Sequence, residues 1–294
     1  MRRPPRALLA AVAVLAALLL CGLTTGCGEQ AEGAASADGV EVVAGFAPLA
    51  WVAERIGGER VEVTNLTPPG VEPHDLELSA RDVATVTEAD LSLYLAGFQP
   101  AVDEATEPFD PARRLDVSDP GRVEGNDPHV WLDPMRLASI AEAVTERLVE
   151  LDPSHEAELR ARGDALQIEL TTLDTELREG LRNCAHHTLV TSHEAFGYLA
   201  ERYGFDQVGI AGIGAETEPT PGRLAVAAET VNDRQVPTIY FESLVSPKVA
   251  ETLARETGAS TAVLDPIEVL DEGADYLSVM RDNLATLRTG QRCG

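Results

Sequence analysis

A long leucine-striped segment in the middle of the chain is the feature that most constrains the fold. Between residues 151 and 183, six leucines recur at steps of seven, four, three, four and four, at Leu159, Leu166, Leu170, Leu173, Leu177 and Leu181. This spacing places them on one face of an α-helix, and the alternating charges between them suit a solvated opposite face. A helix of about 30 residues is about 45 Å long, which is too long for one small lobe. We therefore predict a rigid connecting helix, residues 151–183, between two lobes.

Apolar runs alternate with helical patterns on both sides of this helix. Such alternation is typical of a parallel sheet that is covered by helices on both faces. The sequence therefore predicts an α/β protein with an N-terminal lobe (residues 40–150) and a C-terminal lobe (residues 184–294), each a mainly parallel sheet flanked by helices. The predicted strands are 40–46, 60–66, 91–97 and a short fourth at 113–118, then 187–192, 206–212, 238–243 and 260–265.

The first residues predict export. Three arginines precede an apolar stretch that ends in small residues, which is the pattern of a signal peptide at residues 1–26. The segment LTTGC, ending at Cys27, resembles a lipoprotein signal, in which the cysteine is lipidated. Cleavage to a free secreted protein is the alternative. Residues 27–39 are small and polar and predict a flexible tether, so we expect a protein anchored by lipid to the outer face of the cytoplasmic membrane, or a periplasmic one.

The charge of the chain bears on which class of molecule it can bind. The net charge is -26, Lys248 is the only lysine, and no basic stripe is visible. Nucleic acid is not expected as a partner, because phosphate binding needs clustered cations.

Two cysteines remain after the signal peptide, Cys184 and Cys293, and an even pair in an exported protein usually forms a disulfide. Two metal thiolates are the alternative.

The stretch TSHEAFGYLAERYG raises the question of what His193 does. Thr191 and Glu194 match a capping box, which predicts that a helix begins at Thr191. His193 would then lie in the first helical turn, where the macrodipole favours a neutral ring with a free lone pair. A neutral ring suits metal binding, but it leaves a packed core role open.

Three further candidates follow predicted strands. His74 comes after the second strand, His129 after the fourth and Asp265 directly after the last. In open α/β sheets ligands bind outside the carboxyl ends of the strands, so these side chains and His193 have a natural meeting point between the lobes. Three imidazoles and one carboxylate form a set that suits zinc. Glu242, at another strand end, is a possible supporting residue near the ion.

The quoted motifs also carry a family resemblance. EPHD, DPHVWLDP, TSHEAFGYLAERYG and FES…TGA…LDP, in this order around a long helix, resemble the metal-binding lipoprotein of bacterial zinc and manganese uptake ABC transporters. The resemblance implies two lobes joined by one rigid helix, with the ion between them and an ABC permease as partner. It also implies that the ligands are His74, His129, His193 and Asp265. Manganese binders of that family tend to carry a carboxylate where His193 stands, so Zn²⁺ is expected rather than Mn²⁺.

Other functions remain as alternatives. A zinc hydrolase would use Asp265 as a base, or Ser192, His193 and Asp265 as a triad, but the sequence contains neither HExxH nor GxSxG. A siderophore- or vitamin-binding relative would need a wider site, richer in aromatic residues or arginine. Some members of the resembling family are described as adhesins, which the sequence neither supports nor excludes. We expect a monomeric solute-binding protein and not an enzyme.

Overall fold

The computed structural model describes residues 39–214, 218–242, 244, 246–271 and 273–294. In this part of the chain, two parallel four-stranded sheets lie on either side of a long helix. The predicted signal peptide, the predicted lipidation site Cys27 and all but the last residue of the predicted tether lie outside these residues. Within the described residues no helix is both long enough and apolar enough to cross a bilayer.

The first lobe contains a sheet of order β2-β1-β3-β4, in which every neighbouring pair is parallel. The apolar pattern missed two helices, α3 and the four-residue α4, and α3 begins at Pro100, whose fixed φ suits a first helical position. Ser79 caps the next helix along the chain from β2, since its hydroxyl accepts from the backbone N–H of Asp82. The elements are β1 (Val40–Ala44), α1 (Ala47–Gly57), β2 (Val61–Asn65), α2 (Ala80–Glu88), β3 (Leu91–Tyr94), α3 (Pro100–Thr106), β4 (Arg114–Asp116), α4 (Ser118–Gly121) and α5 (Pro134–Leu151).

The second lobe repeats this topology with a sheet of order β6-β5-β7-β8, again parallel throughout. In both sheets the chain moves from a central strand to one side and then to the other. This reversal opens a crevice outside the carboxyl ends of the central strands. The elements are β5 (Thr188–Thr191), α7 (Gly197–Tyr203), β6 (Asp206–Gly209), α8 (Pro221–Asp233), β7 (Thr238–Phe241), α9 (Lys248–Thr257), β8 (Ser260–Val263) and α10 (Tyr276–Gly290), and they follow the long helix α6 (Glu156–Leu181).

The leucine stripe of α6 lies in a core that both lobes share. All six leucines are at most 1% exposed, and α6 packs on α5 and α1 of the first lobe and on α10 and α7 of the second. The largest apolar cluster runs without interruption from β1 through α6 to α10. The predicted fold class is therefore confirmed. Because interiors are close-packed and resist deformation, this continuous core holds the two lobes in a fixed relation.

The C-terminus is fastened to the start of the second lobe. The structure joins Cys184 and Cys293 in a disulfide across 109 residues of sequence. Beside it, the backbone N–H of Ala185 donates to the carbonyl of Gln291, and that of Gly294 donates to the carbonyl of Asn183. The end of α10 is thereby held against the residues that precede β5.

Candidate metal centre

Three imidazoles and one carboxylate from four separate loops meet at one point. His74, His129, His193 and Glu268 each offer one atom, and these atoms all lie within 4.8 Å of one another. The Nε2 of His129 lies 3.3 Å from that of His74 and 3.4 Å from that of His193. Oε1 of Glu268 lies 3.1 Å from Nε2 of His129, 3.5 Å from that of His74 and 3.4 Å from that of His193. The first lobe supplies two of the groups, and the second lobe supplies the other two.

These separations match the edges of a tetrahedral zinc shell. Zn–N and Zn–O bonds of ~2.0–2.1 Å place two ligand atoms of a tetrahedron about 3.3–3.4 Å apart. Oε2 of Glu268 is buried and has no hydrogen-bond partner among the described residues, an arrangement that costs free energy unless a cation or water lies beside it. The donor set and its spacing therefore fit Zn²⁺.

His129 is fixed by the loop that precedes it and by a helix of the second lobe. Its ring is fully buried, and its Nδ1 lies 2.7 Å from Oδ1 of Asp127. Gly197, the first residue of α7, lies so close that a Cβ there would be 2.6 Å from Oδ2 of Asp127. Tyr198 donates its hydroxyl to the carbonyl of Asp127 at 2.8 Å. With Nδ1–H donating to Asp127, the free lone pair of the neutral ring is on Nε2, which faces the other ligands.

His193 lies in a bend between β5 and α7 and not in a helix, so the predicted helix start at Thr191 is wrong. Thr191 is the last residue of β5, and its hydroxyl donates to the carbonyl of His193 at 2.6 Å. The backbone N–H of Glu194 donates to Gly212, and its carboxylate pairs with Arg223, so neither group forms a capping box. Helix α7 begins six residues after Thr191, at Gly197. The macrodipole argument for a neutral His193 therefore does not apply.

Carboxylates control the charge of His193 instead. Its Nδ1 lies 2.6 Å from Oε1 of Glu242, which is itself 3% exposed. Burial lowers the pKa of His193, but hydrogen bonds to Glu242 and Glu268 outweigh burial and raise the pKa to about 10. Burial likewise lowers the pKa of His129, while Asp127 and Glu268 raise it to a net increase. A pKa raised this far favours the imidazolium form of His193, with a proton on each ring nitrogen, at neutral pH when no metal ion is bound.

The fourth member of the cluster is Glu268, whereas the sequence pointed to Asp265. Oδ1 of Asp265 accepts from the backbone N–H of Ile267 at 2.7 Å, so this carboxylate is engaged within its own loop. Glu268 follows three residues later, is 1% exposed, and reaches the imidazoles with its longer side chain. Burial raises the pKa of Glu268, but hydrogen bonds from His129, His193 and His74 bring it well below its ordinary value. Sequence reasoning missed this residue, although a lone glutamate in the apolar run PIEVL was an available signal.

His74 is the most exposed of the three imidazoles, with 15% of its side chain accessible. It lies in a short 3₁₀ turn (Pro73–Asp75), and its backbone N–H donates to the carboxylate of Glu72 at 3.3 Å. The ring meets that of Phe98 edge-on, with centroids 4.7 Å apart. Burial and the charge of Glu268 raise the pKa of Glu72 to about 8. Because its side chain is more exposed than those of His129 and His193, His74 forms the outer side of the cluster.

The remaining histidines lie elsewhere. Nδ1 of His155 is 2.6 Å from Oδ2 of Asp152 near the start of α6, and Nδ1 of His187 is 3.1 Å from the carbonyl of Gly204. Neither they nor His186 belong to the cluster. The hydroxyl of Ser192 donates to Glu242. Because both Ser192 and Asp265 have these other partners, the alternative triad of Ser192, His193 and Asp265 is not formed.

Comparison with known proteins assigns the family. Residues 42–290 match a family described as the zinc-uptake complex component A, periplasmic. The chain belongs to this family. The high-affinity zinc uptake system protein ZnuA of Bacillus subtilis (strain 168) is 31% identical to the chain over 305 residues, which cover 94% of this chain and 95% of that protein. The expected relationship to bacterial zinc-uptake lipoproteins is therefore confirmed.

Solved structures of relatives share the fold. The laminin-binding protein Lmb of Streptococcus agalactiae, described as an adhesin with metal-transporting activity, is 31% identical and has a TM-score of 0.79 over 86% of this chain and 100% of its own. Zn(II)-bound AdcA of Streptococcus pneumoniae is 32% identical, with a TM-score of 0.75 over 86% of this chain and 58% of its own. The chain spans 55–60% of the curated AdcA relatives, so it matches only part of those longer proteins.

Proposed function

We propose that this protein binds Zn²⁺ outside the cytoplasmic membrane and delivers it to an ABC permease. One observation carries the proposal. Four donor atoms from His74, His129, His193 and Glu268 meet in a largely buried site, and five of the six distances between them are 3.1–3.5 Å. In this ligand set Glu268 takes the place that the sequence suggested for Asp265. Family membership supports the same role, because the family consists of zinc-uptake components.

The geometry favours binding over hydrolysis. A catalytic zinc typically keeps three protein ligands and an open position for water. Here four protein groups surround the point, and three of them are at most 1% exposed. We therefore propose a transport protein and not an enzyme.

The donor set also bears on which ion is bound. Three imidazoles and one carboxylate suit Zn²⁺ better than Mn²⁺, which prefers oxygen ligands. Asp127 and Glu242 accept hydrogen bonds from the far nitrogens of His129 and His193. They orient the rings and make Nε2 a stronger donor. We expect roughly a hundredfold or greater preference for Zn²⁺ over Mn²⁺.

Capture and release follow from the exchange of ligands. On binding, four protein groups replace the water molecules around the ion. Release requires that at least one of these groups withdraw, and a permease can promote this only by binding the open arrangement more tightly than the closed one. The continuous core beneath both lobes limits the opening of the whole molecule. We therefore expect rearrangement of loops near the site.

Zinc binding is predicted to release at least one proton at pH 7.5. A pKa of about 10 keeps His193 protonated in the metal-free protein, and Zn²⁺ needs the lone pair of Nε2 that this proton occupies. Affinity should therefore fall as pH falls, by about tenfold per pH unit for each proton released. Calorimetry at one pH, in two buffers with different ionisation enthalpies, measures the number of protons.

A matched variant tests the origin of this proton. Glu242→Gln keeps an acceptor for Nδ1 of His193 but removes the charge that raises its pKa. The variant should release fewer protons than the wild-type protein at the same pH. Equal binding enthalpies of the wild-type protein in the two buffers would contradict the prediction.

One mass measurement of the intact exported protein tests the lipid anchor, the disulfide and the number of Zn²⁺ ions per chain. We propose a monomer that is lipidated at Cys27 and anchored to the outer face of the cytoplasmic membrane. We also propose that Cys184 and Cys293 form a disulfide in the exported protein, because disulfides persist in oxidising compartments. Non-reducing mass spectrometry of the exported protein should find one Zn²⁺ per chain, a lipid on Cys27 and the loss of two hydrogens. A metal-free protein after purification without chelator, and no uptake of added Zn²⁺, would overturn the proposed function. A water-soluble product without lipid would overturn only the anchor, and two free thiols would overturn only the disulfide.

A further inference from the structure

The loop that carries Glu268 has a backbone that needs external support. Ile267, directly before Glu268, has a φ of 56°, a left-handed conformation that a β-branched residue adopts only at a cost. Ile267 is also fully buried. Such a conformation persists where the surrounding contacts fix it, and it turns the chain so that Glu268 can reach the imidazoles.

Contacts within the second lobe fix the start of this loop. The backbone N–H of Asp265 donates to Oδ1 of Asn283 at 2.9 Å, and Nδ2 of Asn283 donates to the carbonyl of Asp265 at 2.7 Å. These bonds hold Asp265 against α10. Neither bond involves Pro266, the residue between Asp265 and the left-handed Ile267.

A residue of the first lobe supplies that contact. Nε1 of Trp131 donates to the carbonyl of Pro266 at 2.7 Å, over 135 residues of sequence. Trp131 is 1% exposed, and its ring packs on those of Phe46 and His129, with centroids 4.7 and 5.2 Å away. The backbone of Trp131 is held as well, because its carbonyl accepts from the hydroxyl of Tyr276 at 2.5 Å.

We infer that Trp131 is a positioning residue that couples His129 to Glu268 across the two lobes. This inference rests on the proposed zinc site. Trp131 follows His129 by two residues and holds the carbonyl that precedes Glu268 by two residues. The indole therefore fixes the distance between one ligand of the first lobe and the carboxylate of the second. A buried hydrogen bond of this kind sets geometry because its loss leaves a carbonyl without a partner.

The first test replaces the indole while keeping an aromatic ring. Trp131→Phe removes the donor to Pro266 and should lower Zn²⁺ affinity by about 10- to 100-fold, the range typical for groups that orient metal ligands. Trp51→Phe is the matched control. Trp51 is also buried and also donates across the lobes, but its acceptor is Oδ1 of Asp275 at 2.8 Å, seven residues beyond Glu268. Its affinity should stay within about twofold of wild type.

A double-mutant cycle separates positioning from general destabilisation. If Trp131 acts through Glu268, Trp131→Phe should change affinity by less than about threefold once Glu268→Ala has removed the carboxylate. A purely structural role would instead lower affinity equally in both backgrounds. Thermal unfolding of the metal-free proteins accompanies the cycle. If Trp131→Phe does not fold, Tyr276→Phe replaces it, because this variant removes only the hydroxyl that holds the carbonyl of Trp131.

The outcomes are distinguishable from failure of the proposed function. Wild-type protein that does not bind Zn²⁺ overturns the zinc site and this inference together. Wild-type binding with an unchanged Trp131→Phe affinity, or with equal losses in both backgrounds of the cycle, overturns only the role of Trp131. A loss that disappears in the Glu268→Ala background supports it.

Discussion

Replacing Glu268 with alanine is expected to weaken Zn²⁺ binding by about 10²- to 10³-fold. Apparent free energies of ~10–16 kcal/mol for four-ligand zinc sites correspond to about 2.5–4 kcal/mol for each ligand, and 1.4 kcal/mol is about tenfold in affinity. Glu268 is the only anionic group of the cluster, and its Oε1 lies within 3.5 Å of Nε2 of all three imidazoles. Competition with a chromogenic chelator measures the change.

A pair of isosteric variants distinguishes the two candidate carboxylates. Glu268→Gln keeps the shape and one oxygen but loses the charge, so we expect a smaller loss than for alanine. Asp265→Asn keeps an acceptor for the backbone N–H of Ile267 and should leave affinity within about threefold of wild type. A larger loss for Asp265→Asn than for Glu268→Gln would restore Asp265 as the ligand and contradict the arrangement described above.

Removing the imidazole of His129 should have the largest effect of any single change. Its Nε2 is within 3.4 Å of the contacting atoms of all three other ligands. His129→Ala also removes the imidazole that pairs with Asp127 and the nearest of the three imidazoles that surround Glu268, so both carboxylates lose part of their charge compensation. We expect a loss of at least about 10³-fold in Zn²⁺ affinity. Isothermal titration, with chelator competition for the wild type, covers this range.

His155 provides the matched control for this variant. Its Nδ1 also lies against a carboxylate, Oδ2 of Asp152 at 2.6 Å, but 33% of its side chain is exposed near the start of α6. His155→Ala therefore removes the same kind of hydrogen-bonded imidazole away from the cluster. Its affinity should equal that of the wild type. Comparable losses for the two variants would mean that loss of folding, and not loss of a ligand, explains the effect.

The architecture was predictable because its signals are local and repeated. All eight predicted strands form, and the leucine stripe lies on the buried face of α6 as its spacing indicated. Hydrophobic periodicity predicts such elements well, because apolar residues that recur at a fixed interval all lie on the buried face of the helix or strand. The three histidines could be found for a related reason. His193 comes two residues after β5, and His74 and His129 come nine and thirteen residues after β2 and β4, in segments that the topology directs to the crevice.

The fourth member of the cluster depended on a feature that spacing does not encode. Asp265 stands directly after β8 as the rule suggests, but its short side chain accepts a hydrogen bond from Ile267. The left-handed backbone of Ile267 then directs the next residue, Glu268, inward. A non-glycine residue with positive φ is rare, so sequence patterns give no warning of it. The support from Trp131 comes from 135 residues away and is a tertiary contact.

The protonation of His193 illustrates the same limit. Thr191 and Glu194 have the residue types of a capping box, yet both side chains find other partners in the folded chain. The charge of the ring is then set by Glu242 and Glu268, which lie 49 and 75 residues further along. Local sequence singled out a residue that the fold brings into the cluster, whereas the electrostatic environment of that residue depended on the fold.

The central claim is that side chains far apart in sequence surround a single cation without help from Asp265. A crystal structure of the zinc-loaded protein, with anomalous diffraction recorded at the zinc absorption edge, tests this most directly. We expect one anomalous peak with Nε2 of His74, His129 and His193 and a carboxylate oxygen of Glu268 each at ~2.0–2.2 Å. A peak at any other position, one that lacks the contact with Glu268, or one with an oxygen of Asp265 at bonding distance would contradict the account.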